Sequence, residues 1–508
     1  MFYFIGNTLG TQITGIESAQ LKRLKLFAQF GEPAKLVTAD RQMNRAETAV
    51  KYGLNASSYV NLLDFVCGIP FDYHARVTLA SLGVASPHVR RRLSPNEVDY
   101  YDGNQLVETI YHKSLSEQVQ LIRYYDAKGR YRIEEEFDSR GFVGVRRFYD
   151  ENQQMTHRDY LSPAGRLCLR VFISNSRDSS IAAIQVFEPD GRLIQLSGEQ
   201  TLRRYFFDKL NLTTERNVFV SDRTRKNGWA LEHMTTNAFK LFHLHNVHAQ
   251  NLRSDPASTR WNESYRQALN NLDLWQGGIV LTDQQLADVT RTLPRSKFFK
   301  VPAVVITQER LSAPHVSLKQ RTPGKIVAVA RIDRQKNLEE LVQIIALIHQ
   351  QRADVTLDIW GLVQDRDYQA KIEFLIQQLH LTQVVKMRGF SDNIGQAYDQ
   401  AQLMILTSRV EGTVLALAEA QSHGVPVISY DFKYGPREFI IPGENGAIVP
   451  VGARQNAAEL ALTWLNDAAT WQQYSEGAYR DSRRYDAETV FGYWRHVKTQ
   501  SAIFYGKE

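Results

Sequence analysis

Cysteine is almost absent: Cys67 and Cys168 are the two in 508 residues, far apart along the chain and without partners at metal-ligand spacing. That pattern indicates neither a disulfide framework nor a thiolate zinc site. Long apolar runs are missing too, since no stretch approaches the roughly 18–20 residues of a membrane-spanning helix. The opening Met-Phe-Tyr-Phe-Ile-Gly has neither the basic segment nor the cleavage site of a signal peptide, so a cytoplasmic protein is expected. No long Lys/Arg run or aromatic–basic signature accompanies the net charge of +6, so no nucleic-acid partner is expected. Such a mild positive balance suits small anions, polyphosphate polymers and membrane headgroups alike.

What is present reads as α/β. Composition is ordinary for a folded protein, at 43% hydrophobic and 23% charged, and the length allows two or three domains. Phe2 to Ile5 has a buried-strand pattern, followed by a loop with Gly6, Gly10 and Gly15, a helix over about Glu17 to Phe30, and a strand at Ala34 to Thr38. This is a βαβ opening. From about residue 75 to 205 the pattern changes. Turn signals at Asp126-Ala-Lys-Gly129, Asp138-Ser-Arg-Gly141, Asp150-Glu-Asn-Gln153 and Ser162-Pro-Ala-Gly165 recur every 12 residues, and Glu188-Pro-Asp-Gly191 adds another. The spacing predicts an inserted antiparallel meander with about four or five residues per strand. Parallel-sheet signals resume at Asn217 to Ser221, Lys240 to His248, Gly277 to Thr282 and Val301 to Ile306, with a helix around Trp229 to Thr236. Ser312 to Pro323 reads as a linker, a second Rossmann-like domain starts at Gly324, and a helix covers roughly Ala487 to Phe504.

The most informative segment is Glu411-Gly-Thr-Val-Leu-Ala-Leu-Ala-Glu419. Gln402 to Thr407 before it reads as a buried strand, and Val414 to His423 as a helix that Gly424-Val-Pro426 stops. Glu411 is thus expected at a strand's C-terminal edge, where open α/β sheets bind ligands, with Glu419 about two turns down the next helix. Backbone N–H groups at Gly412 and Thr413 would face an anionic or hydroxyl-rich ligand.

Glu411 and Glu419 match the E-x7-E motif of the retaining, nucleotide-sugar-dependent glycosyltransferases of family 4, and the chain resembles that family. The resemblance extends to Val327-Ala-Val-Ala-Arg331-Ile-Asp-Arg-Gln-Lys336-Asn337 and to Val384-Val-Lys-Met-Arg-Gly389-Phe390-Ser391, in the family's order. It implies the GT-B fold: two Rossmann-like domains facing a cleft, here residues 1–74 with 206–311 and 312–486, with 75–205 inserted and 487–508 crossing back to the first domain. The inserted meander is similar to that of the accessory-secretion adhesin glycosyltransferases and the teichoic-acid α-glycosyltransferases.

The resemblance also implies roles. Arg331 and Lys336 would grip the donor diphosphate, Gly389, Phe390 and Ser391 would receive the base, and Glu419 would take the ribose hydroxyls. Glu411 would hold sugar hydroxyls, with Gly412, Thr413, Val414 and Leu415 offering N–H groups, and Gly15 would approach the donor phosphates. His245, followed by Asn246, would lie beside the anomeric carbon, with His248 in reserve. Many relatives carry Phe-Gly where this chain has Thr413-Val414, which leaves the sugar preference open. His243, His245 and His248 have metal-like spacing, but no carboxylate or cysteine cluster in the sequence completes a site. Asp365-Arg-Asp367 reads as helix-capping chemistry. No metal and no other cofactor is expected, and no carboxylate nucleophile is evident.

The leading expectation is a transferase that moves glucose or N-acetylglucosamine from UDP to Ser/Thr, or to sugars on them, in a Ser-rich adhesin. The rival acceptor is a poly(glycerol- or ribitol-phosphate) teichoic acid, which Lys128, Arg130, Arg132, Arg140, Arg146 and Arg147 could track. A reading of another class is a non-catalytic GT-B-like subunit, against which stand Arg331, Lys336, Glu411 and Glu419. A homo-oligomer or a complex with a GT-B-like partner is expected, as is peripheral contact with the inner membrane face.

Overall fold

The computed structural model describes residues 1–82, 89–174, 180–251, 259–391 and 393–506. They fall into two compact units, Met1–Leu241 and Phe242–Glu508.

In the first unit, strands Val218–Ser221, Phe2–Ile5, Ala34–Thr38 and Tyr59–Asn61 lie side by side in parallel. The helix behind them is Gly15–Gln29, whose Phe27 sets its ring edge-on to Phe2 and Phe4 at 4.9 and 5.1 Å. Gly15 is therefore the first helical residue and not a loop residue. The Thr14 amide donates to the Glu17 carboxylate at 3.0 Å, so the helix starts two residues before the apolar pattern does. The later helix is Thr224–Glu232, earlier than expected, because the Asp208 carboxylate takes the amides of Thr235 and Thr236, both at 2.9 Å.

The meander is a ten-stranded antiparallel sheet in strict chain order, from Val89–Ser94 to Leu193–Leu196. Each repeated turn signal closes with an i→i+3 backbone bond, as from Gly129 to Asp126 and from Gly165 to Ser162, at 2.9 and 2.8 Å. The fourth residue of every such turn has positive φ: Gly129, Gly141, Gln153, Gly165 and Gly191. That requirement explains the periodic glycine. Strands are longer than expected, at seven or eight residues (Tyr131–Asp138, Phe142–Tyr149, Met155–Leu161), because the ladder runs to the edge of each tight turn.

A buried charge square joins the meander to the parallel sheet's helices. Asp138 receives Arg45 and Arg140, each at 2.8 Å, and Asp64 receives Arg140 at 2.7 Å and Arg45 Nε at 2.9 Å. Arg140, at 5% exposure, is thus unavailable to a polymer, contrary to its sequence assignment. Beside it Gly141 has no room for a side chain, since a Cβ would lie 2.0 Å from the Ala75 carbonyl oxygen. The two cysteines also meet here. Cys168 Sγ lies 3.8 Å from the Cys67 carbonyl, both thiols are free and buried, and the contact with Cys168, added to burial, pushes the Cys67 thiol up.

In the second unit, a six-stranded parallel sheet runs Val385–Gly389, Thr356–Trp360, Lys325–Val329, Leu403–Leu406, Val427–Tyr430, Gly446–Val449. A second parallel pair, Gly277–Val280 with Phe298–Lys300, lies in the same unit. The expected strand at Val301 to Ile306 is displaced to Phe298–Lys300, since Pro302 has no ladder donor. Helix Ala487–Phe504 packs on it, with His496 5.8 Å from Phe299 between ring centroids. Among the described residues no helix is long and apolar enough to cross a membrane.

Removing one member of the buried square leaves uncompensated charge, so Asp138→Ala is expected to cost about 3–5 kcal/mol. Urea unfolding should show the earliest transition shifted to lower denaturant.

Candidate active site

In the second unit the chain lays Lys325–Val329 centrally, adds two strands outward on one side, then returns to place Leu403–Leu406 on the other. The two loops that leave this reversal point lie at the strands' C-terminal ends, where open α/β sheets bind ligands. One loop carries Arg331 and Lys336, the other Glu411.

The first loop is rigid for local reasons. Asp333 caps the short turn Arg334–Lys336, accepting from the amides of Gln335 and Lys336 at 3.0 and 3.3 Å, and Asn337 takes a left-handed conformation at φ 54°. The second loop is sewn to it. The Arg409 amide donates to the Gln335 carbonyl at 2.8 Å, Gln335 Nε2 donates to the Val410 carbonyl at 2.7 Å, and Thr407 Oγ1 donates to the Asn337 carbonyl at 3.0 Å. The result brings Lys336 Nζ to 2.5 Å from Glu411 Oε1, with side chains 14% and 10% exposed. Arg331 is 40% exposed, bonded to Gln364 and 3.2 Å from Asp333. A lysine held by one carboxylate and a partly exposed guanidinium on the same loop are groups able to engage phosphate oxygens.

Glu411 is held by its backbone as well. Its amide donates to the Lys433 carbonyl at 2.8 Å and its carbonyl accepts from Tyr434 at 2.7 Å. Asp288, 2% exposed, anchors both residues, accepting from Lys433 Nζ at 2.7 Å and from the Tyr434 hydroxyl at 2.9 Å. Burial, reinforced by this carboxylate, pushes the Tyr434 phenol far up, so it stays a donor. Sequence reasoning missed Asp288, whose segment carries no motif.

Gly412 is required by space. A Cβ there would stand 1.8 Å from the His245 carbonyl oxygen and 2.6 Å from the Asn246 nitrogen. The His245 backbone thus packs against the Glu411 loop. The next carbonyl, of Asn246, accepts from the fully buried Gln285 at 2.9 Å, while the Asn246 side chain accepts from the Val247 amide at 2.8 Å. Gln285 also went unrecognised. His245 lies 3.9 Å from His243 between ring centroids. His248 does not line this loop: it is fully buried and stacks at 9° on Tyr434, 6.1 Å away, and burial lowers it to about 4.

The remaining assignments divide. Helix Leu415–Ser422 follows Val414 with no side-chain cap, and among the described residues the amides of Gly412, Thr413, Val414 and Leu415 have no hydrogen-bond partner. Glu419 is only its fifth residue, half-buried beside Tyr398, whose phenol burial and the Glu419 carboxylate raise well above its usual value. Gly389 ends its strand at φ 75°, Phe390 is 43% exposed, and Ser391 Oγ accepts from the Asn393 amide at 3.1 Å. Gly361 was missed. It lets its strand end pack on the other loop, since a Cβ would meet the Ala330 carbonyl oxygen at 2.0 Å, and its amide donates to the Gly389 carbonyl at 2.8 Å. Asp365 caps helix Arg366–Gln378 through the Tyr368 amide at 2.9 Å, as its sequence context implied.

Two expectations follow from this geometry. Gly412→Ala must separate the Glu411 loop from His245 by about an ångström or more, so kcat/KM should fall at least ~100-fold with little change in melting temperature. His248 binds its proton in the unfolded chain near pH 6.5 and in the folded one near pH 4. Stability therefore drops as pH falls through that window, by on the order of 3 kcal/mol at pH 4. His248→Phe should flatten the unfolding profile there.

Comparison with known proteins places these residues in context. Residues 310–481 match the model for "Glycosyl transferases group 1". The chain is 24% identical over 523 residues to the poly(glycerol-phosphate) alpha-glucosyltransferase of Bacillus subtilis, covering 98% of this chain and 75% of that one. It is 22% identical over 517 residues to the GtfA subunit of the UDP-N-acetylglucosamine–peptide N-acetylglucosaminyltransferase of Streptococcus parasanguinis, covering 98% and 96%. The pneumococcal O-GlcNAc transferase GtfA, solved with UDP and GlcNAc, superposes with a TM-score of 0.81 at 19% identity, covering 98% of both chains. The chain thus has the GT-B fold, and its residues 310–481, the loops of Arg331, Lys336 and Glu411 among them, match the group 1 glycosyltransferase model.

Proposed function

We propose that this chain is a retaining transferase that moves glucose or N-acetylglucosamine from its UDP form to Ser or Thr hydroxyls, or to sugars already on them, of a Ser-rich secreted adhesin. The observation that carries the reading is the Lys336–Glu411 pair at the sheet's reversal point, 2.5 Å across. An incoming diphosphate competes for Lys336 and draws on Arg331, which releases Glu411 to accept hydrogen bonds from sugar hydroxyls. The uncapped amides at Gly412 to Leu415 supply neutral donors, so leaving-group charge is stabilised by lysine, arginine and backbone without a metal. Transfer proceeds on one face of the sugar, with the departing phosphate oxygen taking the acceptor's proton. Such an enzyme works in the cytoplasm, as a homo-oligomer or with a GT-B-like partner.

The state of the meander's cations favours a protein acceptor over a teichoic acid, the acceptor named for the Bacillus relative. Five of the six cations proposed for polymer tracking are occupied: Arg130 and Arg132 by Asp126, Arg140 by Asp64 and Asp138, Arg146 by Glu135, and Arg147 by Glu134 and Glu136. A phosphodiester chain would have to displace the carboxylates that already hold these side chains.

The test is UDP release from UDP-glucose, UDP-N-acetylglucosamine and UDP-galactose, each with EDTA. Turnover of glucose or N-acetylglucosamine is expected, reduced by roughly 100-fold or more in Glu411→Ala and Lys336→Ala. Turnover that needs an added metal, or a sugar trapped covalently on a carboxylate, would overturn the mechanism.

A further inference from the structure

In the first unit, three guanidinium groups converge where the C-terminal end of strand Ala34–Thr38 meets strand Met155–Leu161 and helix Glu199–Asn211. Arg41 and Arg158 both stand against the ring of Tyr160, at 5.8 and 5.9 Å. Arg41 and Arg203 share Glu199, the latter at 3.2 Å, and Arg203 also donates to Asn227 at 2.7 Å. Arg158 has no such relief. It faces Arg147 directly across the ladder and, among the described residues, its side chain has no hydrogen-bond or ion-pair partner. Like charges opposite one another on a sheet are destabilising, and a half-buried charge without a partner adds to the cost.

Three observations mark the cluster as electropositive and under-satisfied. The Nε–H groups of Arg41, Arg158 and Arg203 are all buried without an acceptor. Burial, with the nearby Arg41 and Arg147 charges, pushes the Arg158 guanidinium down from its ordinary value. Of the two carboxyls at hand, Glu199 is taken by Arg41 and Arg203, and burial pushes the Asp40 carboxyl up toward its neutral form.

We propose that Arg158, with Arg41 and Arg203, is a subsite for one carboxylate, the side chain of an acidic residue in the acceptor peptide. The proposal rests on the protein-acceptor reading and adds a sequence preference to it. A single anion fits because the neighbouring arginines Arg146, Arg147 and Arg170 are each neutralised by a carboxylate, so they do not extend the Arg158 charge into a track. Guanidinium forks engage a carboxylate with two parallel bonds, which also fixes its orientation.

The experiment is fluorescence anisotropy with the full chain and two labelled Ser-rich peptides that differ by one central Glu or Gln. Wild type is expected to bind the Glu peptide about tenfold tighter. Arg158→Gln should erase that difference while binding the Gln peptide as wild type does, and Arg158→Lys should restore part of it. Equal wild-type affinity for both peptides would overturn the subsite irrespective of how the variants fold. So would a poly(glycerol phosphate) whose binding Arg158→Gln weakens while the Glu peptide's preference persists. A Glu preference without sugar transfer to either peptide would instead retain the subsite and refute the protein-acceptor reading.

Discussion

A parallel sheet that reverses its order must send two adjacent loops in opposite directions, and this protein places opposite charges on them. Lys336 and Glu411 meet because the strands Lys325–Val329 and Leu403–Leu406 are neighbours in the sheet but distant in the chain. Neither residue could hold its position alone. The cross-loop bonds from Gln335, Thr407 and Arg409 fix the separation. Each charge of the pair neutralises the other where both side chains are largely buried.

Around that seam the supporting residues carry less obvious signatures. Asp288 and Gln285 lie on one helix, Asp283–Val289, and reach different parts of the site. Asp288 holds Lys433 and Tyr434, which bracket Glu411, while Gln285 holds the carbonyl of Asn246, next to the His245 peptide that packs on Gly412. One helix therefore references both the Glu411 loop and the His245–Asn246 backbone to a common frame.

The meander answers a different physical demand. A ten-stranded sheet rich in charge would repel itself or invite association unless its cations were matched, and Arg123, Arg146, Arg147 and Arg170 find Glu134, Glu135, Glu136 and Asp159 on adjacent strands. Against that balanced surface Arg158 stands out by contrast. The buried square of Arg45, Asp64, Asp138 and Arg140 serves attachment instead, since it fastens a hairpin tip to two helices that the sequence separates by scores of residues.

The chain's local patterns determined a great deal. The 12-residue turn period, with its positive-φ fourth residues, dictated a meander, because only tight turns of that chemistry close hairpins so regularly. The Glu411–Glu419 segment and the Arg331–Lys336 loop were legible because strand ends, caps and glycines are local signals, and family resemblance gave them roles. Strand lengths, the true start of helix Gly15–Gln29 and the shift from Val301 to Phe298 were decided by ladder and capping bonds that composition does not register. Tertiary structure alone decided that Arg140 is buried, that Cys67 and Cys168 touch, that Gly412 must be glycine against the His245 carbonyl, and that Asp288, Gln285 and Gly361 belong to the site. Each of these depends on a partner far away in sequence, and long-range pairing is a property of the folded backbone that no window of residues contains.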